Sequence, residues 1–172
     1  VEAQQGGTER EFAEFVRART GDLLRTAYLL TGNAVAAEEL VQDTLVRLYP
    51  KWDRVAAADV PLAYVRRSLT NAFVTGTRRP SAREVSVATP PERFDEHDPY
   101  RRLGDIDELW SLLVTLPERQ RAALVLRYFH DLPDDEIAAA LGARPGTVRS
   151  LISRGLANLR DTAAADASRR PA

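Results

Sequence analysis

Three residues at fixed spacing constrain the fold of this chain more than anything else in it: Ala138, Gly142 and Val148, within DDEIAAALGARPGTVRSLISRGLANLR. Two helices that cross closely need a small side chain at the crossing, a left-handed residue to turn the chain, and an apolar plug from the second helix. Ala138, Gly142 and Val148 supply these in order, which is the spacing of a helix-turn-helix. Pro133 followed by Asp134, Asp135 and Glu136 starts the first helix with acids at its positive end. At about 100° per residue, Val148, Ile152, Gly155, Leu156 and Leu159 fall on one side of the second helix. Thr147, Ser150, Ser153, Arg154 and Ala157 fall on the other. Short side chains let a helix sit deep in a major groove about 12 Å wide, where an arginine can hold guanine through two hydrogen bonds. Arg144, Arg149 and Arg160 flank that face and suit phosphates, which position a helix without reading sequence.

The formal net charge of the 172 residues is only -1, and it conceals strong segregation. Val60 to Arg83 holds Arg66, Arg67, Arg78, Arg79 and Arg83 with no acid. Ile137 to Arg160 holds Arg144, Arg149, Arg154 and Arg160, again with no acid. Between these blocks, Glu84 to Glu108 carries eight acids against three arginines. Two basic blocks around an acidic one fit a polyanion gripped at two places.

Helical spacing prevails from Glu9 to about Gly76, with turn signals at Thr31-Gly32-Asn33 and near Pro61, and predicts three or four helices there. Pro80, Pro90, Pro91, Pro99 and most of the acids mark 80–104 as a linker. Helical periodicity returns from Asp105 to Arg160, broken at Pro117, at Leu132-Pro133 and at Gly142. The expected fold is all-α, with one small helical domain over 9–79 and another over 105–161. A flexible acidic linker over 80–104 joins them, and a frayed tail covers 162–172.

Within the first domain, AAEELVQDTLVRLYPKW places Leu40, Val41, Thr44, Leu45 and Leu48 on an expected buried stripe. Its opposite face carries Glu39, Gln42 and Asp43, with Val46 almost diametrically across from the stripe; an apolar residue centred in such a patch points to a protein partner. Downstream, PLAYVRRSLTNAFVTGTRRPSAR interleaves Tyr64 and Phe73 with five arginines and includes Asn71. Stacking aromatics, phosphate-seeking cations and a base-reading amide suit separated or distorted DNA, although each aromatic fits a core position equally well.

The chain has no cysteine, and its two histidines, His97 and His130, are not spaced as a metal pair. No nucleophile and base set or phosphate loop accompanies them, so no catalytic residue, metal or cofactor is expected. No apolar run approaches the roughly 18 residues of a membrane span, and the start VEAQQGGTEREF lacks the regions of a signal peptide. A cytoplasmic location without membrane insertion is the expectation.

Three segments in order resemble one known family, the extracytoplasmic-function sigma factors of the sigma-70 family, which are specificity subunits of bacterial RNA polymerase. They are LLRTAYLLTGNAVAAEELVQDTLVRLYPKWDRV, LAYVRRSLTNAF and LPERQRAALVLRYFHDLPDDEIAAALGARPGTVRSLISRGLANLR, spanning roughly Phe12 to Arg160, and GTVRS with SRGLANLR looks like an actinobacterial branch. The resemblance implies a sigma region 2 domain and a sigma region 4 domain. It implies that Glu39, Gln42, Asp43, Val46 and Arg47 dock on the coiled coil of the polymerase's largest subunit. Asn71, with the loop from Arg54 to Pro61, would hold an extruded base of the minus 10 promoter element, and Arg66, Arg67, Arg78 and Arg79 would grip that element's backbone. Arg144, Thr147, Arg149, Ser150, Ser153 and Arg154 would read the minus 35 element as duplex, and the acidic linker would thread toward the polymerase active centre. The resemblance further implies an anti-sigma factor as partner. The chain departs from the family pattern at Tyr64, where many members have tryptophan, at Leu151, where a basic or amide side chain is usual, and at Gly76-Thr77. The alternative is a stand-alone helix-turn-helix regulator that binds duplex operators, although such proteins usually carry an α/β receiver or ligand domain.

Overall fold

The computed structural model describes residues 2–76 and 110–169, and among these every regular element is helical. The chain divides into two compact units, Val1–Phe73 and Val74–Ala172, so the all-α expectation holds. The expected linker over 80–104 lies outside the described residues.

In the first unit, α1 spans Glu2–Thr31, α2 spans Ala34–Leu48, a 3-10 turn covers Tyr49–Lys51, α3 spans Trp52–Ala56 and α4 spans Pro61–Gly76. Helix α1 begins at Glu2, seven residues before the expected start at Glu9, and from Thr8 onward it is tied to residues 49–53. The Thr8 hydroxyl donates to Asp53 Oδ1 at 2.6 Å. Phe12 meets Trp52 edge-on at 5.0 Å and Tyr49 at 4.9 Å, and Phe15 lies 4.8 Å from Trp52. Local periodicity carries no trace of contacts made about forty residues away.

Asn33 starts α2: its backbone is extended at φ -140, and its side-chain oxygen accepts the Ala36 N–H at 3.0 Å. That bond satisfies one of the donors every helix start leaves open. Ala37, Val41, Thr44, Leu45 and Leu48 form the buried stripe. Leu40, expected within that stripe, is only half-buried at its edge. Thr44 is buried without an unmet hydroxyl, because it donates to the Leu40 carbonyl at 2.7 Å. Leu23, Ala27 and Leu30 of α1 are buried with Val65, Leu69 and Phe73 of α4, Trp52 and Val55. Each large apolar side chain removed from water in this way contributes about 1.5–3 kcal/mol. Arg66 of α4 donates to Asp22 Oδ2 of α1 at 2.5 Å, which ties the two helices by charge at the margin of this core.

In the second unit, residues 110–113 are helical, and the chain turns at Leu116-Pro117 into α5, Glu118–Leu124. Helix α5 runs on as a π-turn over Val125–Phe129, followed by α6, Asp134–Leu141, and α7, Pro145–Arg169. Arg121 lies buried in α5 and donates to the Leu116 and Val114 carbonyls at 3.2 and 3.3 Å. Its guanidinium therefore holds the chain leading into α5 against the helix. Desolvation pulls its pKa below the usual arginine value, and the Glu118 charge opposes that pull.

Between α6 and α7 the chain turns through Gly142, at φ 57 and ψ 43, and the Ala143 N–H reaches back to the Ala138 carbonyl at 2.9 Å. This left-handed ending satisfies a carbonyl that the helix leaves open, and only glycine enters that region without steric cost. Arg119 of α5 completes the ending by donating to the Leu141 carbonyl at 3.0 Å. Helix α7 crosses α5 so closely that a Cβ on Gly155 would lie 2.9 Å from Leu124 Cδ1. The tail expected to fray from 162 is helical to Arg169. Three consecutive alanines, Ala163 to Ala165, and the Thr162 hydroxyl bonded to the Asn158 carbonyl at 3.0 Å favour that extension.

Candidate nucleic-acid interface and partner face

Helix α7 sorts its side chains into the two faces expected. Val148 is fully buried and Gly155 is buried, while Ile152, Leu156 and Leu159 are half-buried. Arg144, Thr147, Arg149, Ser150, Ser153, Arg154 and Arg160 are all exposed, and Ala157 with them. Leu151 is half-buried at the edge of that outer face. Six positions expected to meet DNA therefore share one accessible surface on a helix fixed from beneath by Val148 and by the Gly155–Leu124 contact. The Asn158 amide adds a third anchor by donating to Gln120 Oε1 at 2.9 Å.

Beside this face runs an open groove of about 420 Å³. Arg127, Asp134, Arg149, Ser153 and Arg160 line it, with Ile152 beneath. Asp134 accepts a hydrogen bond from Arg127 and also lies 3.7 Å from Arg149 Nη1. The sequence marks Asp134 only as an acid at a helix start. Its position beside Arg149 depends on how the turn folds α7 back along α6.

Helix α4 brings together only part of its expected set. Tyr64, Arg67 and Asn71, spaced i, i+3 and i+7, form one exposed stripe. Phe73 is buried, so the core position is the one it takes. Arg66 is half-buried on Asp22, an arrangement that gives it a structural contact within the unit. Asp22 is 44 residues away in sequence, which is why no local pattern reveals the pair. Arg78 and Arg79 lie outside the described residues. The segment from Arg54 to Pro61, expected as a loop, is helical through Ala56, and only 57–60 form turns and bends.

On α2, Glu39, Gln42, Asp43, Val46 and Arg47 are all exposed. Val46 is 70% exposed, and Arg47 Nε donates to the Asp43 carbonyl at 3.0 Å. Val35, which sequence reasoning passed over, is 64% exposed and continues the same stripe. The positions 35, 39, 42 and 46 fall at i, i+4, i+7 and i+11, so helical spacing held the signal. Among the described residues no cluster of histidine, cysteine or carboxylate side chains could hold a metal ion, and no helix is long and apolar enough to cross a membrane.

The sequence pattern of sigma-70 region 2 matches residues 15–83, and that of sigma-70 region 4 matches residues 106–159. The RNA polymerase sigma-E factor of Streptomyces avermitilis is 37% identical over 155 residues, covering 90% of this chain and 86% of the relative. The ECF RNA polymerase sigma factor SigE of Mycolicibacterium smegmatis is 34% identical over 86% of this chain and 60% of its own length. Among solved structures, the sigma factor RpoE of Bartonella quintana, determined in complex with the anti-sigma factor NepR, aligns with a TM-score of 0.67 at 26% identity. That alignment covers 88% of this chain and 96% of the other. With both regions matched and both units folded as helices around their own cores, the chain belongs to the sigma-70 family and is an RNA polymerase sigma factor of the extracytoplasmic-function type.

Proposed function

We propose that this sigma factor divides its work among three faces. The outer stripe of α2, with Val46 at its centre and Glu39, Gln42, Asp43 and Arg47 around it, docks on the coiled coil of the polymerase's largest subunit. The Tyr64, Arg67 and Asn71 stripe of α4 meets the minus 10 element, with Asn71 reading a base there and Arg78 and Arg79 adding charge to the contact. Arg66, held by Asp22, contributes to that grip through its effect on α4. The exposed face of α7 reads the minus 35 element, with Arg154, Ser150 and Ser153 toward bases and Arg144, Arg149 and Thr147 toward phosphates.

The observation that carries this reading is the exposed α2 face in the same chain as a helix-turn-helix. A stand-alone operator-binding regulator has no use for a region 2 pattern over 15–83 or for Val46 at 70% exposure. The protein acts without catalysing a reaction itself, works in the cytoplasm, and is held in check by an anti-sigma factor, as Bartonella RpoE was determined with NepR.

The test is to mix the full chain with core polymerase and ask whether the holoenzyme opens a promoter that core alone ignores. Duplex binding without core, and no opening with it, would favour the regulator.

A further inference from the structure

We propose that Asp134 tempers how tightly α7 engages DNA, by holding the Arg149 guanidinium in competition with phosphate. The inference rests on α7 being the duplex-reading helix. Asp134 opens α6, and its two oxygens have unequal surroundings. Oδ1 accepts a hydrogen bond from Arg127, and both side chains of that pair are largely covered, at 26% and 29% exposure. Oδ2 faces Arg149 Nη1 at 3.7 Å, beyond hydrogen-bond length, and the Arg149 side chain is 71% exposed.

The consequence is an anchored carboxylate with a loosely held second arginine. Arg127 prevents the carboxylate from swinging away, so its charge stays beside the recognition helix. An exposed ion pair at this range is weak and is screened by salt. A phosphate that arrives in the right place can take Arg149 from it, with a shorter, charge-assisted contact.

Three guanidiniums, Arg127, Arg149 and Arg160, share the groove with this one carboxylate and with Ser153 of the reading face. Without Asp134 the groove would attract any polyanion more strongly, whereas base recognition by Ser153 and Arg154 would gain nothing. Sequence-independent binding would rise, on the selected duplex and on any other.

The experiment uses holoenzyme assembled from the full chain and core polymerase. A pool of promoter fragments randomised over the upstream element yields the duplex that the parent protein selects. Affinities for that duplex and for a scrambled one are then measured from 50 to 200 mM salt. Asp134→Asn is expected to tighten both duplexes about 3- to 5-fold, because the selected one too must take Arg149 from the carboxylate. The slope of log affinity against log salt on scrambled DNA should steepen by about one unit. In an Arg149→Gln background the gain should shrink to the part that Arg127 and Arg160 account for. Asp134→Ser, well suited to a first helical turn, serves equally if the asparagine variant does not fold. No tightening on either duplex, or an undiminished change in the Arg149→Gln background, would overturn the proposal. Failure of the parent holoenzyme to select any duplex would sink both the proposal and the assignment of α7.

Discussion

Gly142 and Gly146 stand on either side of the turn into α7, and the same added methyl group should act on them in opposite directions. At both positions a Cβ would meet no atom within 4 Å, so packing drops out of the comparison. Gly142 has φ 57, where an L side chain is strained by about 1–2 kcal/mol. Gly146, in the first turn of α7, is in a helix, where alanine is favoured over glycine by up to about 1 kcal/mol. Gly142→Ala should lower, and Gly146→Ala hold or raise, the stability of the second unit in urea denaturation of the full chain. The role of Gly142 is legible from sequence because a left-handed turn is a local demand. Arg121 is the opposite case. Truncating it to alanine should cost about 2–4 kcal/mol in the same measurement, since it opens a cavity and leaves the Leu116 and Val114 carbonyls without their donor. Nothing in the sequence around Arg121 separates it from the exposed Arg119, because its burial follows from the chain before α5 folding back over it.

At the scale of elements, periodicity divides what sequence can tell from what it cannot. The two faces of α7 and the stripe of α2 follow from about 3.6 residues per turn, and exposure agrees with both, from buried Val148 to exposed Val46. The contacts of the early half of α1 and the Asp22–Arg66 tie depend on partners far along the chain. They leave no periodic signature. The legible faces carry the functional predictions. Val46→Asp should leave the helical signal and melting of the free chain unchanged, because a 70% exposed side chain adds little to the core. It should weaken association with core polymerase at least about 10-fold, as expected when a charge enters the apolar centre of an interface. Undiminished association in a pull-down or fluorescence titration would remove α2 as the docking face. Arg154→Ala should cost about 1–3 kcal/mol on the selected upstream duplex and relax one base position. An equal loss on random duplex would reduce Arg154 to a phosphate contact.

At the scale of the whole molecule, two units with separate cores each carry an exposed polar and cationic face, so neither needs the other to form its contact surface. Two modest grips on one DNA molecule act together only when something holds them at a fixed separation, because the second contact then forms at high effective concentration. Core polymerase bound through α2 would supply that separation. The consequence can be measured on the promoter itself. Inserting about 5 base pairs between the two elements turns one by roughly half a helical turn relative to the other, so both cannot face their readers at once. Open-complex formation by the holoenzyme should then fall at least about 10-fold, and inserting a full turn of about 10 base pairs should not restore it, since the distance is then wrong although the phase is right. If the half-turn insertion had no effect, the two units would be gripping independently, and the link between them would tolerate any register. If the full turn rescued activity, phase would govern and distance would not, which would shift the source of the constraint from the polymerase scaffold to the chain between the units.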